Sequence, residues 1–352
     1  MSREQFSRRG FLGRSLAALT AGAGLSAFAR AQPDGVPPLR DLADSKGIGI
    51  GPAVAYPPLV NEPYYAQLLE QEFNILTPEN AMKWSATHPQ QDRYTFGQAD
   101  TIFNFAQANN MSVHGHNLVW QSSNPSWLAN GNFNRDQMIA ILSDHIYTVA
   151  GRYSGGILAW DVVNEAVAAN GTLASGIWRN RLGTDYLDLA FQFARDADPY
   201  ALLLYNDYGA EIVNAKSTGV YNIIRDMQSR GIPIDGVGFQ MHIGTAGINY
   251  QSFAQNLARF ADLGLVLFVT EMDVRIQLPV TQSKLDMQAN VYYNVLDAVL
   301  NQPSCYALQM WGFTDAHSWI PGANPGYGAA LIFDENYNPK PAYYALQGRL
   351  LQ

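Results

Sequence analysis

The sequence predicts an α/β protein with a single-domain (β/α)8 TIM barrel. Eight short, apolar, β-branched segments recur along residues 40–350, and amphipathic segments of helical period separate them. The apolar segments are hydrophobic enough to be buried on both faces, as the strands of a parallel sheet are. Polar and aromatic residues gather where these segments end, which is typical of the C-terminal face of such a barrel.

The elements follow in regular order. The predicted strands are Ile48–Val54, Asn74–Asn80, Ser112–Trp120, Ile157–Glu165, Ala201–Asp207, Gly236–His242, Leu265–Val274 and Ala307–Asp315. The predicted helices between them include Pro63–Phe73, Arg135–Tyr153, Lys216–Arg230, Tyr250–Leu263 and Gln282–Asn301. Gly231 and Gly264 come where two of these helices should end. An open doubly wound sheet is the alternative, but its nucleotide loop is missing, since no helix starts directly after Gly47–Gly51.

The N-terminus reads as a targeting signal. Arg8 and Arg9 form a twin-arginine run, an apolar stretch covers Leu16–Phe28, and Ala29–Ala31 is a small-residue cleavage site. The apolar stretch is too short and too rich in glycine to span a bilayer. We therefore predict a signal peptide over residues 1–31, a catalytic domain over residues 32–352, and export by the twin-arginine route to the periplasm or the medium.

Charge and cysteine content exclude several classes of protein. Residues 1–31 hold five Arg and one Glu, which leaves 17 basic and 29 acidic side chains in the mature chain, a net charge of about −12. Such a surface repels phosphate backbones, so no nucleic-acid partner is expected. Cys305 is the only cysteine, so no internal disulfide can form. We expect a monomer that needs no membrane after signal cleavage.

Two glutamates end predicted strands on opposite sides of the barrel. Glu165 ends the hydrophobic run Trp160–Glu165 of the fourth strand, and Glu271 ends the run Phe268–Glu271 of the seventh, so both should face the same mouth. Two facing carboxyls suit glycoside hydrolysis, in which one protonates the leaving oxygen and the other attacks the anomeric carbon or activates water. A separation of roughly 5–5.5 Å gives retention and roughly 6.5–9.5 Å inversion, so the sequence leaves the stereochemistry open.

Motifs at successive strand ends resemble glycoside hydrolase family 10, the retaining endo-β-1,4-xylanases, over nearly the whole mature chain. The motifs are Thr77–Trp84, Gly115–Trp120, Trp160–Glu165, Asn206–Tyr208, Gly238–Ile243, Thr270–Arg275, Trp311–Asp315 and Lys340–Tyr344. The resemblance implies that Glu165 is the general acid and then the base, and that Glu271 is the nucleophile. It also implies that His242, held by Asp273, orients Glu271.

The resemblance implies a set of substrate-binding residues as well. They are Glu79, Asn80, Lys83, His116, Trp120, Asn164, Gln240, Trp311 and Trp319, with Tyr208 on the leaving-group side. Asn164 would reach the sugar 2-hydroxyl, and Asp161 would support His116 from behind. Amide, carboxylate and ammonium groups beside flat indoles suit sugars, which present hydroxyls at the ring edge and C–H groups on the face.

One segment departs from the family pattern. After Trp120 the family reads His-Ser-Gln, whereas this chain reads Gln121-Ser122-Ser123. Ser123 is too short to replace the missing glutamine, so a water or Asn124 would have to intervene. This departure puts the affinity for the sugar two units from the cleavage point in doubt, and with it the substrate preference.

Three other functions compete with xylan hydrolysis. A β-1,4-glucanase is the nearest, because xylose and glucose differ by one hydroxymethyl group. A carbohydrate-binding barrel without chemistry is disfavoured by the presence of both glutamates, and an exported oxidoreductase by the lack of a phosphate loop, haem motif or cysteine ligand set. His114 and His116 have the spacing of a metal pair, but no further ligand set completes it. We expect neither a metal nor a cofactor, and xylan or xylo-oligosaccharides as partners.

Overall fold

A computed structural model describes residues 35–352, so the predicted signal peptide lies outside the described residues. Ten strands are numbered here in chain order. They are β1 (Gly49–Val54), β2 (Ile75–Pro78), β3 (Ser112–Trp120), β4 (Ala159–Asn164), β5 (Leu202–Asp207), β6 (Gly236–Phe239), β7 (His242–Gly244), β8 (Val266–Gln277), β9 (Cys305–Met310) and β10 (Tyr327–Gly328). Eight of them pair in parallel in the order β1–β6, β8, β9, and β9 pairs back with β1. The predicted (β/α)8 barrel is therefore confirmed.

Helices connect the strands around the outside. They are Leu39–Lys46, Tyr56–Asn61, Pro63–Glu72, Trp84–Thr87, Gly97–Ala108, Ser126–Ala129, Arg135–Arg152, Ile177–Leu182, Asp185–Ala197, Ala215–Ser229, Tyr250–Asp262, Gln282–Asn301, Ile320–Ala323 and Pro341–Leu351. Short polar side chains start several of them: Asn134 and Asn214 each form a reciprocal capping box, which satisfies N–H groups that the first turn leaves unpaired. Gly231 and Gly264 follow two helices with φ of 75° and 81°, as predicted for helix stops.

Three strands end three or more residues away from the prediction, all at the barrel mouth. The eighth barrel strand, β9, ends at Met310 instead of Asp315. The sixth strand ends at Phe239 instead of His242, because the backbone turns at Met241, whose φ is 67°, before β7 begins. The seventh barrel strand, β8, runs to Gln277, beyond the predicted end at Val274. It continues past the rim because β7 and β10 pair with its C-terminal half.

The core has two layers, as a closed barrel surrounded by helices requires. A large cluster lies between strands and helices and includes Leu203 and Leu267. A smaller cluster contains the residues that follow these two along the same strands, Leu204 and Phe268. Because adjacent strand residues point to opposite faces, the smaller cluster fills the barrel interior.

The two ends of the described chain meet on one side of the barrel. The carboxylate of Glu72 accepts hydrogen bonds from the backbone N–H of Leu39 (3.1 Å) and the hydroxyl of Tyr343 (3.0 Å). The amide of Gln347 donates to the carbonyl of Pro37 at 3.1 Å. The first and last helices are thereby joined beside the β1–β9 seam. Among residues 35–352, no helix has the length and apolar character needed to cross a membrane.

Candidate active site

The two glutamates stand differently on their strands. Glu165 is the first residue after β4, and its φ of 58° lies in the left-handed region that side-chain-bearing residues seldom adopt. Its backbone N–H still donates to the carbonyl of Asn206 at 2.9 Å, which ties it to β5. Glu271 lies in the middle of β8, with strand on both sides. Both side chains reach the same mouth, as predicted.

Glu271 is only 5 % exposed and is surrounded by donors. The Asn206 amide donates to its Oε1 at 2.7 Å, and Nε2 of His242 lies 3.2 Å from its Oε2. Burial by itself would raise the pKa of Glu271, but the hydrogen bond from His242 and the charges of His116 and His242 outweigh burial and lower it. The carboxyl of Glu271 is therefore held in its ionised form.

His242 is in turn fixed by Asp273. Its Nδ1 lies 2.8 Å from Oδ2 of Asp273, which also accepts a hydrogen bond from the indole N–H of Trp319 at 2.9 Å. Burial would lower the pKa of His242, yet the charge and hydrogen bond of Asp273, with those of Glu271, raise it to about 10. His242 is therefore an imidazolium at neutral pH, and it can donate to both carboxylates at once.

Glu165 is partly exposed and is surrounded by neutral donors. The indole N–H of Trp120 donates to its Oε2 at 2.9 Å, and the Gln240 amide donates to its Oε1 at 3.0 Å. The amide of Asn164 lies 3.4 Å from the same Oε1. No imidazolium or guanidinium hydrogen-bonds this carboxyl among residues 35–352.

Amide side chains connect the two glutamates. The amide nitrogen of Asn206, which bonds Glu271, also donates to Oδ1 of Asn164 at 3.0 Å, and Gln240 donates to that same oxygen at 3.2 Å. Thr270 fixes the orientation of Asn206 by donating to its Oδ1 at 2.8 Å. A continuous hydrogen-bond network therefore runs from one carboxylate to the other.

His116 and Asp161 form a buried group behind Glu271. Nδ1 of His116 lies 2.8 Å from Oδ2 of Asp161, and Nε2 of His114 lies 2.9 Å from its Oδ1. Burial would raise the pKa of Asp161, but the two histidines lower it to about 2. Potential ligand atoms of His116, Asp161 and Glu271 all lie within 4.8 Å of one another, yet each residue already has hydrogen-bond partners in the network. The absence of a metal stays a prediction.

Lys83 projects between two tryptophans at the mouth. Its Nζ lies 5.3 Å from the ring centre of Trp120 and 5.4 Å from that of Trp311, and it donates to Oδ1 of Asn80 at 2.7 Å. Burial lowers the pKa of Lys83, although the charges of the nearby glutamates act to raise it. Burial also raises the pKa of Glu79. Ammonium, amide, carboxyl and indole groups thus stand together beside Glu271.

The remaining predicted residues lie at the edges of the site. The ring of Trp319 meets that of His242 edge to face at 5.1 Å, which covers the Glu271 side. Tyr208 is 49 % exposed and follows β5, the strand that pairs with β4. Asn124 donates to the carbonyls of Trp120 and Gln121, so its amide nitrogen is already used.

The Gln121–Ser123 departure also has a visible consequence. Oγ of Ser123 lies 2.9 Å from Oγ of Ser85, while the Gln121 amide reaches back to the carbonyl of Glu165 at 3.3 Å. Gln121 therefore supports the backbone of Glu165, a contact that the sequence reading missed. Asn206 and Thr270 are also site residues that were not identified from the sequence. Asn206 is the last residue but one of β5 and begins the Asn206–Tyr208 motif, which is the signal that could have identified it.

An eight-stranded parallel barrel with two glutamates at its mouth, among sugar-compatible amides and indoles, defines a glycoside hydrolase. Residues 38–348 match the model of Glycosyl hydrolase family 10, and the chain belongs to that family.

Known relatives agree with this family. The chain is 47 % identical over 313 residues to endo-1,4-beta-xylanase B of Thermotoga neapolitana, covering 88 % of this chain and 90 % of the relative. It is 42 % identical over 282 residues to endo-1,4-beta-xylanase 2 of Aureobasidium pullulans, covering 77 % and 78 %. The crystal structure of Thermotoga petrophila xylanase 10B in complex with xylobiose superposes with a TM-score of 0.88 at 46 % identity, covering 91 % and 99 %.

Proposed function

We propose that this protein is a retaining endo-β-1,4-xylanase that cleaves internal β-1,4-xylosidic bonds of xylan, with Glu271 as nucleophile and Glu165 as acid and base. The observation that carries the division of labour is the chain Asp273–His242–Glu271, in which an imidazolium keeps one glutamate ionised. Within residues 35–352, the carboxyl of Glu165 accepts hydrogen bonds from neutral groups, the Trp120 indole and the Gln240 and Asn164 amides. The xylan substrate is supported by the names of the similar enzymes, whose chains this one matches almost end to end.

In the first step, the Glu271 carboxylate attacks the anomeric carbon, and the bond from that carbon to the leaving oxygen breaks. The proton of Glu165 passes to the leaving oxygen, so the released chain departs as a neutral alcohol. The sugar stays attached to Glu271 as an ester. Trp120 and Gln240 hold the Glu165 carboxyl in place during the transfer.

In the second step, water attacks the anomeric carbon while Glu165, now ionised, accepts one of its protons. The ester bond to Glu271 breaks, and both carboxyls return to their starting state with the anomeric configuration retained. Glu271 is a good leaving group in this step because His242 and Asn206 stabilise its negative charge.

We assign the substrate-binding residues by the same reasoning. Asn164 lies beside Glu165, where its amide can meet the 2-hydroxyl of the sugar that reacts. Lys83 and Asn80 can bind ring hydroxyls on the glycone side, where Glu79 and His116 also lie, and Trp311 and Trp319 offer faces for the sugar C–H groups.

Product analysis on xylan with detection of the anomer tests the proposal. The expected result is a mixture of short β-1,4-xylo-oligosaccharides whose first-formed anomer is β. A first-formed α anomer would rule out the covalent mechanism. Higher kcat/KM on cellulose-type oligomers than on xylo-oligosaccharides would make the protein a β-1,4-glucanase with the same pair of carboxylates, because Ser123 leaves the glycone contact of the family unmade.

We also propose that residues 1–31 direct export through the twin-arginine route and are then removed. The paired arginines Arg8 and Arg9 and the small residues Ala29–Ala31 support this. Intact mass of the exported protein should correspond to a chain beginning at Gln32. Retention of the first thirty residues in exported material would contradict the proposal.

A further inference from the structure

Glu165 has an unusual backbone conformation, and small shifts of its carboxyl would affect proton transfer. With φ of 58°, Glu165 needs its neighbours to keep it there, because the left-handed region is costly for a residue with a side chain. A proton donor misplaced by about 1 Å can lose roughly a hundredfold in rate. What fixes the next peptide group is therefore relevant to catalysis.

The hydroxyl of Tyr205 fixes that peptide. The backbone N–H of Ala166 donates to the Tyr205 oxygen at 3.0 Å, and the hydroxyl donates onward to Oδ2 of Asp207 at 2.6 Å. A phenol has one hydrogen, so it can accept from Ala166 in this geometry only while its own hydrogen points at Asp207. Tyr205 and Asp207 are each 1 % exposed, so bulk water has little access to either bond.

Lys216 balances the charge of Asp207. Its Nζ lies 2.8 Å from Oδ1 of Asp207 and 3.5 Å from the ring centre of Tyr208, and it is only 5 % exposed. Burial raises the pKa of Asp207 to about 6, although Lys216 and Tyr205 act to lower it. The lysine thus stabilises the carboxylate that orients the Tyr205 hydroxyl, and it also supports Tyr208 at the leaving-group side.

A second contact ties the same loop to the helix that carries Lys216. Gly171, at φ of 83°, packs so closely on Gly219 that a Cβ on Gly219 would lie 2.2 Å from the carbonyl oxygen of Gly171. The loop after Glu165 is therefore held at its start by Tyr205 and near its tip by helix Ala215–Ser229. Neither contact touches Glu271.

We propose that Lys216, Asp207 and Tyr205 are positioning residues that hold Glu165 in place for proton transfer to the leaving oxygen. The proposal rests on the acid role proposed above for Glu165. It predicts a selective defect: steps that need protonation should suffer, whereas departure of a group that needs none should not.

The test compares Tyr205→Phe with the unaltered protein on aryl β-xylobiosides of graded leaving-group pKa. For alkyl-like or poor phenol leaving groups, kcat/KM should fall roughly ten- to a hundredfold. For a dinitrophenol leaving group it should change by less than about threefold, because little protonation is required. A uniform loss over the whole series, or no loss, would overturn the proposal.

Tyr343→Phe is the matched control, since it removes another buried tyrosine hydroxyl from a carboxylate, that of Glu72, far from the mouth. It should lower Tm without any leaving-group dependence. If Tyr205→Phe does not fold, Asp207→Asn provides the same comparison, and a uniform loss there would count equally against the proposal. Glu165→Ala is measured in parallel: if that variant lacks leaving-group dependence, the acid assignment itself fails, whereas a flat result for Tyr205→Phe alone rejects only the positioning role.

Discussion

Glu165 and Glu271 are the same side chain in two different environments. Glu271 lies within a strand, is nearly fully buried, and faces an imidazolium that is itself held by Asp273. Glu165 lies just past a strand end in a left-handed conformation, is partly exposed, and receives hydrogen bonds from an indole and an amide. The environment of Glu271 stabilises its negative charge, whereas the environment of Glu165 fixes the position of its carboxyl.

This contrast shows how one barrel assigns two roles to chemically identical groups. A nucleophile must be ionised before substrate binds, so a permanent cation beside it is useful. A group that first donates and then accepts a proton would be locked in one state by such a cation, and neutral donors leave both states open to it. Exchanging or removing these partners should therefore produce different kinetic defects on the two sides.

Removal of Glu271 should have the largest effect. Glu271→Ala is expected to reduce turnover roughly 10⁴-fold or more on every substrate, whatever the leaving group, because no covalent intermediate can form. Assays on xylan and on activated aryl xylobiosides measure this, and Tm shows that the barrel still folds. Near-normal turnover of any of these substrates would contradict the nucleophile assignment.

Removal of Glu165 should be severe but selective. Glu165→Ala is expected to lower kcat/KM on xylan by about 10²- to 10⁴-fold, the usual range for a general acid. Activated aryl glycosides should lose far less in the same parameter, since their leaving groups need little protonation. Equal losses on xylan and on activated substrates would show that the acid lies elsewhere.

His242→Gln tests how the charge of Glu271 is held. The hydrogen bond and charge of His242 lower the pKa of Glu271 against burial, so without them that pKa should rise. Because Glu271 reacts only when ionised, the acid limb of the kcat/KM profile should move to higher pH, with a loss of roughly ten- to a hundredfold at neutral pH. His317→Gln, which removes an imidazole from Glu62 at the rim, is the control and should leave the limb in place.

The same histidine should make stability depend on pH. Its pKa is raised from 6.5 to about 10 in the folded protein, so its contribution is fully present below pH 6.5 and is lost as pH rises through about 10. The free energy of unfolding, measured by urea denaturation between pH 6 and pH 10.5, should fall by on the order of 2 kcal/mol more in the unaltered protein than in His242→Gln. Parallel pH curves for the two proteins would contradict the imidazolium assignment.

The smallest effect is expected at Ser123, which serves neither glutamate. Ser123→Gln restores the side chain that the family pattern has there, and one added hydrogen bond to the glycone should lower KM for xylo-oligosaccharides about threefold without changing kcat. Steady-state kinetics on xylotriose and longer oligomers measure the change. An altered kcat would indicate that the segment after Trp120 acts on Glu165 as well, as the Gln121 contact allows.

The fold could be predicted from the sequence because each barrel strand is a separate apolar segment between helices. The position of Glu165 and Glu271 on the same mouth followed from strand order alone. The length of β8 could not be predicted, because Arg275 and Gln277 are polar and continue the strand only through pairing with β7 and β10. Pairing with distant segments is not visible in local composition.

Within the site, side chains named by motif were predictable, but the network between them was not. Asn206 and Thr270 connect the two glutamates through hydrogen bonds whose partners lie 42 to 65 residues apart in the chain. In the sequence, Tyr205 is one residue of an apolar strand. Only the structure shows that its hydroxyl hydrogen-bonds to both Ala166 and Asp207. Such contacts depend on side-chain geometry that only the folded barrel determines.

The meeting of the two chain ends has a consequence for biosynthesis. Because β1 pairs with β9, and because Tyr343 and Gln347 in the last helix donate hydrogen bonds to Glu72 and Pro37 near the start of the described chain, the barrel can close only after nearly the whole chain has left the ribosome. One edge of β1 therefore stays unpaired until β9 has been synthesised. The twin-arginine route proposed above carries folded proteins, so it would suit a chain whose two ends meet only when the barrel closes.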